Sequence, residues 1–201
     1  MERSLLKLLG VAVTSAWLLS GCATGYLLEN DVQSFVTAPP ITAPMSYRFE
    51  RLPSQQAPGQ AQLEAWADPA LHAAGLQRDD ANPRYSVQVT GRLTPTLSPW
   101  ADPWLWDGGW GMGFHHHGFG FGMGGPWGPF DTPWYHREVA VIVRELPSHR
   151  VVYETHATSD GPWLDNAAVF PAMFSAAMHG FPNPPPGPRR VDILIGGKTT
   201  S

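Results

Sequence analysis

The fold class that this chain predicts is α+β: a two-layer sandwich with a mostly antiparallel sheet, two helices on one face, and a long Gly/Trp/His-rich loop. Three observations point to it. Short segments alternate apolar and polar residues, two stretches repeat at the helical period, and a valine-rich pair of segments lies between those stretches. Read along the chain, the order is strands, helix, strands, helix, which suits helices segregated onto one side of an antiparallel sheet.

Val32-Gln33-Ser34-Phe35-Val36 reads as the first strand, and Met45–Glu50 alternates as a second. Pro39, Pro40 and Pro44 separate them. From Gln60 to Gly75 the period changes, and Leu63, Trp66, Ala67, Ala70, Leu71 and Ala74 fall on one helical face. Pro69 interrupts that face, so a kinked helix and two short ones both fit, with Gly75 as the stop. Tyr85, Val87 and Val89 alternate with Arg84, Ser86 and Gln88 as a third strand. His136–Leu146 and Arg150–Thr158 then form a hairpin around Pro147-Ser148-His149. Ser159-Asp160-Gly161-Pro162 reads as a turn, and a second helix is predicted from about Asp165 to His179. Phe181–Pro188 is too proline-rich for either regular element, and Val191–Ile195 reads as a last short strand or a tail.

The first 22 residues have the layout of a secretory signal peptide. Arg3 and Lys7 precede the apolar stretch Leu8–Leu19, and small residues lead to the only cysteine. Leu8–Leu19 is about half the length of a bilayer-spanning helix, which needs roughly 20 apolar residues. An uncleaved helical anchor is the alternative to cleavage. Leu19-Ser20-Gly21-Cys22 resembles the lipobox of bacterial lipoproteins. That resemblance implies cleavage before Cys22, a diacylglyceryl group on its thiol and an acyl chain on its new amine. Ala23, where an aspartate would favour inner-membrane retention, implies an outer-membrane lipoprotein facing the periplasm. The predicted organisation is a removed signal peptide over 1–21, a lipidated terminus and tether over 22–30, and a single domain over 31–182. Within that domain lies a variable loop, 97–135, and a Pro-rich tail follows over 183–201.

Composition narrows the partners. The formal charge is −4, charged residues are 15%, and the only lysines are Lys7 and Lys198, so no basic stripe exists to bind nucleic acid. A single cysteine permits no internal disulfide.

The Pro99–Tyr135 segment holds Trp100, Trp104, Trp106, Trp110, Trp127 and Trp134 among many glycines, with His115-His116-His117 at its centre. Imidazoles on such a loop suit weak, exchangeable divalent metal, with Asp131, His136, Met112 or Met123 to complete a site. Three adjacent histidines do not converge easily on one ion, and a low-complexity insertion with a histidine patch is the plainer reading. The aromatics suit either a membrane interface or a partner's groove, or they fold back onto the sheet.

Leu71-x-x-x-Gly75-Leu76, Asn82-Pro83-Arg84-Tyr85-Ser86-Val87-Gln88-Val89, Arg144-Glu145-Leu146, Val151–Thr155 and Ala172-Met173 through Phe181-Pro182 appear in an order that resembles a family of bacterial lipoproteins, domain-of-unknown-function family 4136. The resemblance implies a small envelope α+β domain with no catalytic residues to carry over. Ser148-His149, Glu154-His156 and Asp160 lie near one another in sequence, but no Gly-x-Ser-x-Gly elbow and no His-Glu-x-x-His motif occurs. No cofactor is expected beyond covalent lipid. The expectation is a non-enzymatic interaction or structural module, tethered to the membrane through Cys22 and meeting an envelope protein. A metal-binding periplasmic lipoprotein using His115, His116 and His117 is the alternative.

Overall fold

Valine-rich alternation places two long strands at the centre of the sheet. In the computed structural model, which describes residues 25–37, 41–96, 98 and 133–196, these are β5 (Trp134–Glu145) and β6 (Val151–Gly161). They pair antiparallel from Tyr135 opposite Gly161 to Val143 opposite Tyr153, with a register slip between Val143 and Arg144. The strand β4 (Tyr85–Thr96) lies antiparallel along the whole of β5, from Tyr85 opposite Glu145 to Thr96 opposite Trp134. On the other side, β1 (Tyr26–Val36) runs antiparallel to β6. A short β2 (Ser46–Phe49) pairs parallel with β4 and with the two-residue β3 (Gln77–Arg78). The seventh strand, β7 (Arg189–Ile195), gives the order β3-β2-β4-β5-β6-β1-β7. The described residues 28–193 form one body, and the described residues 25–27 and 194–196 group apart from it.

The side-chain period of two decides what is buried. On β6, Tyr153, Thr155, Ala157 and Ser159 are buried, and on β1 Leu28, Asn30, Val32 and Ser34 are. Three hydroxyls of this set are paired: Ser34 and Thr155 share a 2.8 Å hydroxyl bond, and Ser159 donates to Glu29 O at 2.7 Å.

Two helices complete a mixed α/β fold. The first, α1 (Pro58–Ala73), starts with a proline in its first turn, where no backbone donor is needed. It packs against β4. Pro69 lies inside it with its ring exposed, and Ala67, Ala70 and Leu71 on both sides are buried. That burial carries one helix through the proline. The helix ends in a Schellman arrangement: Gly75 N donates to His72 O at 2.9 Å and Leu76 N to Leu71 O at 3.0 Å. Gly75 takes φ +93°, and the buried Leu71 and Leu76 close the cap. The second helix, α2 (Asn166–Ala177), is capped by Asp165, whose Oδ1 accepts from Ala167 N and Ala168 N at 3.0 and 3.2 Å. It packs on β5 and β6 and against α1. Thr155 Oγ1 donates to Ala177 O at 2.9 Å, which ties the helix end to the sheet.

Several elements differ from their sequence expectation. The first strand begins at Tyr26 rather than Val32, so much of the expected tether is sheet. Leu28 and Asn30 extend the inward alternation, and Asn30 is accommodated because its Nδ2 donates to Leu28 O and to Val191 O, both at 3.0 Å. The third strand runs on from Val89 to Thr96, and β5 begins at Trp134, within the expected 97–135 loop. Ser159-Asp160-Gly161 is strand rather than turn, because Tyr135, His136 and Arg137 provide partners across it. Within the expected 183–201 tail, the strand reading of Val191–Ile195 is the one observed, starting two residues earlier at Arg189.

Candidate functional site

Leu19, Ser20, Gly21 and Cys22, the histidines 115–117, and Met112, Met123 and Asp131 lie outside the described residues. His136 is described. It alternates with the buried Arg137 and Val139, so it lies on the sheet face opposite to them, and its Nδ1 is 2.8 Å from Asp160 Oδ1. On that same face His156 Nε2 lies 2.8 Å from Glu154 Oε1, and its Nδ1 lies 3.8 Å from Glu138. These imidazoles are each committed to carboxylates along an exposed strand pair. Among the described residues, no three His, Cys, Asp or Glu side chains are grouped to hold a metal ion. Ser148 and His149 do not form a nucleophile–base pair. Ser148 Oγ donates to Glu145 Oε2 at 2.7 Å, and His149 turns the chain with φ 54°.

The geometry concentrates instead at the end of the sheet where β4 stops and β5 starts. Thr96 faces Trp134 there, and Tyr135 faces Gly161. Gly161 has no side chain for a reason: a Cβ would sit 2.6 Å from Trp163 Nε1, so the indole folds directly onto the strand. Beneath it, Arg137 is 1% exposed and is among the largest fully buried side chains. Its guanidinium donates to Trp163 O and twice to Asn166 Oδ1, at 3.2 Å each, and lies 5.2 Å from the Tyr135 ring centre. A fixed fork of donors suits this role, because it holds the Gly161–Asn166 crossing against β5 while satisfying its own charge-bearing nitrogens. Leu164, next in the chain, projects outward and is 70% exposed.

Beside this end, Ser54, Gln55, Leu63, Trp66, Leu93 and Phe170 line an open groove of about 340 Å³. Trp66 and Phe170 stack within it, with ring centres 5.5 Å apart and planes 6° from parallel. Gly91 makes the close approach possible, since a Cβ there would lie 2.7 Å from Leu63 Cδ1 and 3.3 Å from Phe170 Cε1. Gln55 Nε2 and Gln60 Nε2 both donate to Val89 O, at 2.9 and 3.0 Å, so the polar backbone of β4 is satisfied on one flank of an apolar slot.

Polar contacts tie β2 and the residues after it to α1. Tyr47 OH donates to Asp68 Oδ1 at 2.5 Å, and burial, then the Asp68 hydrogen bond and charge, push the phenol well above the usual tyrosine range. Arg51 holds the buried Glu64 in a bidentate pair, both contacts 2.6 Å.

The sequence pointed to the apolar face of Trp66 but not to its stacking on Phe170, nor to Arg137. Gly91 inside a strand pattern was the available signal, since an interior strand glycine often marks close approach. For Arg137 the surrounding Tyr135, Glu138 and valines carried no mark of burial.

No protein-family model matches the chain, and no curated protein matches it. Among solved structures, a PelC dodecamer from Paraburkholderia phytofirmans is similar at 11% identity and TM-score 0.45, over 73% of this chain and 95% of that one. A second crystal form, of a PelC variant, aligns at 11% identity and TM-score 0.44, over 74% and 94%. A PDZ domain protein from Parabacteroides distasonis aligns at 12% and 0.47, over 92% of this chain, which spans 42% of that protein's length.

Proposed function

We propose that this chain is a cell-envelope lipoprotein, anchored by lipid on Cys22, whose domain is a non-enzymatic interaction or structural module. The observation that carries the reading is Leu19-Ser20-Gly21-Cys22 at the end of a short basic and apolar leader. Acyl chains on one residue supply about 0.8 kcal/mol per buried methylene, so two or more hold a domain on a bilayer without a spanning helix. Ala23 supports an outer-membrane address facing the periplasm, and the resemblance to family 4136 supports the same compartment. In finer detail the domain is a two-layer sandwich, both helices covering one sheet face and leaving the imidazole–carboxylate face open. The open Trp66–Phe170 groove and the engagement of Ser148 by Glu145 support an interaction role over hydrolytic chemistry.

The test is fractionation of the full chain. Wild type is expected in the membrane pellet with an acylated N-terminal cysteine by mass spectrometry, and Cys22→Ala in the soluble fraction. A Cys22→Ala protein that stays in the membrane overturns the reading. The alternative, a metal-binding lipoprotein, rests on His115-His116-His117. Calorimetry with Zn, Cu and Ni decides it, because identical heats from wild type and the triple His→Ala variant end it.

A further inference from the structure

We propose that the end of the sheet carrying Trp134, Tyr135, Trp163 and Leu164 rests on the bilayer surface. This inference rests on lipid anchoring at Cys22 and adds to it a definite orientation.

The argument is one of reach and direction. Leu28 is the first residue of the main body, six positions after Cys22. Six extended residues span about 20 Å at most, at ~3.3–3.6 Å each. Antiparallel pairing with β6 sets which end of the sheet Leu28 occupies: Asp31 lies opposite Thr158, and Ser159 Oγ bonds Glu29 O, so Leu28 lies at the Asp160–Gly161 end. Tyr135 pairs with Gly161 and Thr96 with Trp134, so β5 begins and β4 ends there too. The β5–β6 hairpin at Pro147–His149 is at the far end of β6. Eleven strand residues at ~3.3 Å place it about 35 Å further along, beyond the reach of the tether.

The chemistry of the near end agrees with its placement. Trp and Tyr rings favour the headgroup boundary, where an apolar body meets a wet, polar edge. Leu164 stands 70% exposed on a crossing that Arg137 holds rigidly to the sheet. The carboxylates close by are engaged within the chain, Asp160 with His136 and Asp165 with the α2 amides. At the far end the hairpin turn exposes Ser148, His149 and Arg150, and Phe35 and Val36 are exposed beside it at the end of β1, so reach from Cys22 distinguishes the two ends more than apolarity does.

The experiment uses full-length protein in vesicles of phosphatidylethanolamine and phosphatidylglycerol. Leu164→Cys and Ser148→Cys are each labelled with an environment-sensitive thiol fluorophore, and doxyl-lipid quenchers are added. The label at position 164 is expected to shift to the blue and lose emission to the quencher, while the label at 148 does neither. Equal quenching at both positions, or none at 164, overturns the orientation while leaving the anchor intact. Thiol labelling of the wild-type protein reports a free Cys22, which overturns the anchor reading and this proposal with it. Both substitutions lie at exposed positions, so neither tests folding instead of orientation.

Discussion

The two ends of the sheet are held by different chemistry. At the Trp134–Leu164 end, a buried guanidinium ties strand to crossing loop, and aromatic rings lie over glycines that leave them room. At the hairpin end, the ties are a phenol on a carboxylate and a serine hydroxyl on a glutamate. An arginine keeps its charge at any pH that a folded protein meets, whereas the buried Tyr47 phenol is held neutral. The first end is therefore built for pH-independent rigidity around an apolar surface. At the second, the Tyr47 phenol is fully buried, while the hairpin turn itself is open to water. The two ends thus differ in what ties them, while both expose apolar side chains, Leu164 at one and Phe35 at the other.

The largest expected effect breaks the rigid end. Arg137→Met leaves the half-buried acceptors Trp163 O and Asn166 Oδ1 without their donor, and an unsatisfied buried acceptor costs about 1–3 kcal/mol. A loss of about 3 kcal/mol is expected in denaturant unfolding, with a lower midpoint and an unchanged slope. A change near zero would mean that the crossing is held by packing alone. Next is Gly91→Val, which crowds Leu63 and Phe170 and is expected to cost about 1–3 kcal/mol by overpacking. Quenching of Trp66 fluorescence should change with it, since its stacking partner must shift.

The hairpin end is sharpened by pH. The native state holds the Tyr47 proton while the unfolded chain releases it from the ordinary value of 10.0 upward. The unfolded state then binds fewer protons, so stability that is fully present below pH 10 falls as pH rises, by up to about 1.4 kcal/mol per pH unit for one group. Tyr47→Phe should flatten that slope in melts between pH 9 and 11. A slope identical to wild type would show that Tyr47 titrates normally. The smallest effect is expected at Ser148→Ala, within about 0.5 kcal/mol, because its bond to Glu145 is exposed.

Legibility along the chain followed the distance over which each element finds its partners. The β5–β6 hairpin and the Asp165 cap of α2 were readable because the residues that stabilise them are neighbours in sequence. The Gly75 stop was readable for the same reason, since its hydrogen bonds close within five residues. The start of β1 was not, because Asn30 is tolerated only through a bond to Val191, 161 residues away. Two-residue β3 carries no periodicity at all and exists only because β2 lies beside it. Nothing near Arg137 in the sequence marks it as buried, and the Gly161–Asn166 crossing supplies the acceptors that bury it. The Trp66–Phe170 stack needs two helices to meet, and Gly91 was its one local signal.

What the sequence by itself determined is therefore local: which stretches are strand or helix, where most of them stop, and the leader ending at Cys22 that motivates the anchoring proposal. These rest on backbone periodicity, capping and short motifs, all of which act over a few residues. The tertiary structure alone decided the strand order, the burial of Arg137 and the meeting of Trp66 with Phe170. It also decided which end of the sheet Leu28 shares with Trp134 and Leu164. Each of those depends on partners brought together across more than twenty residues of chain, and no local signal encodes which distant segment will supply the missing donor, ring or strand.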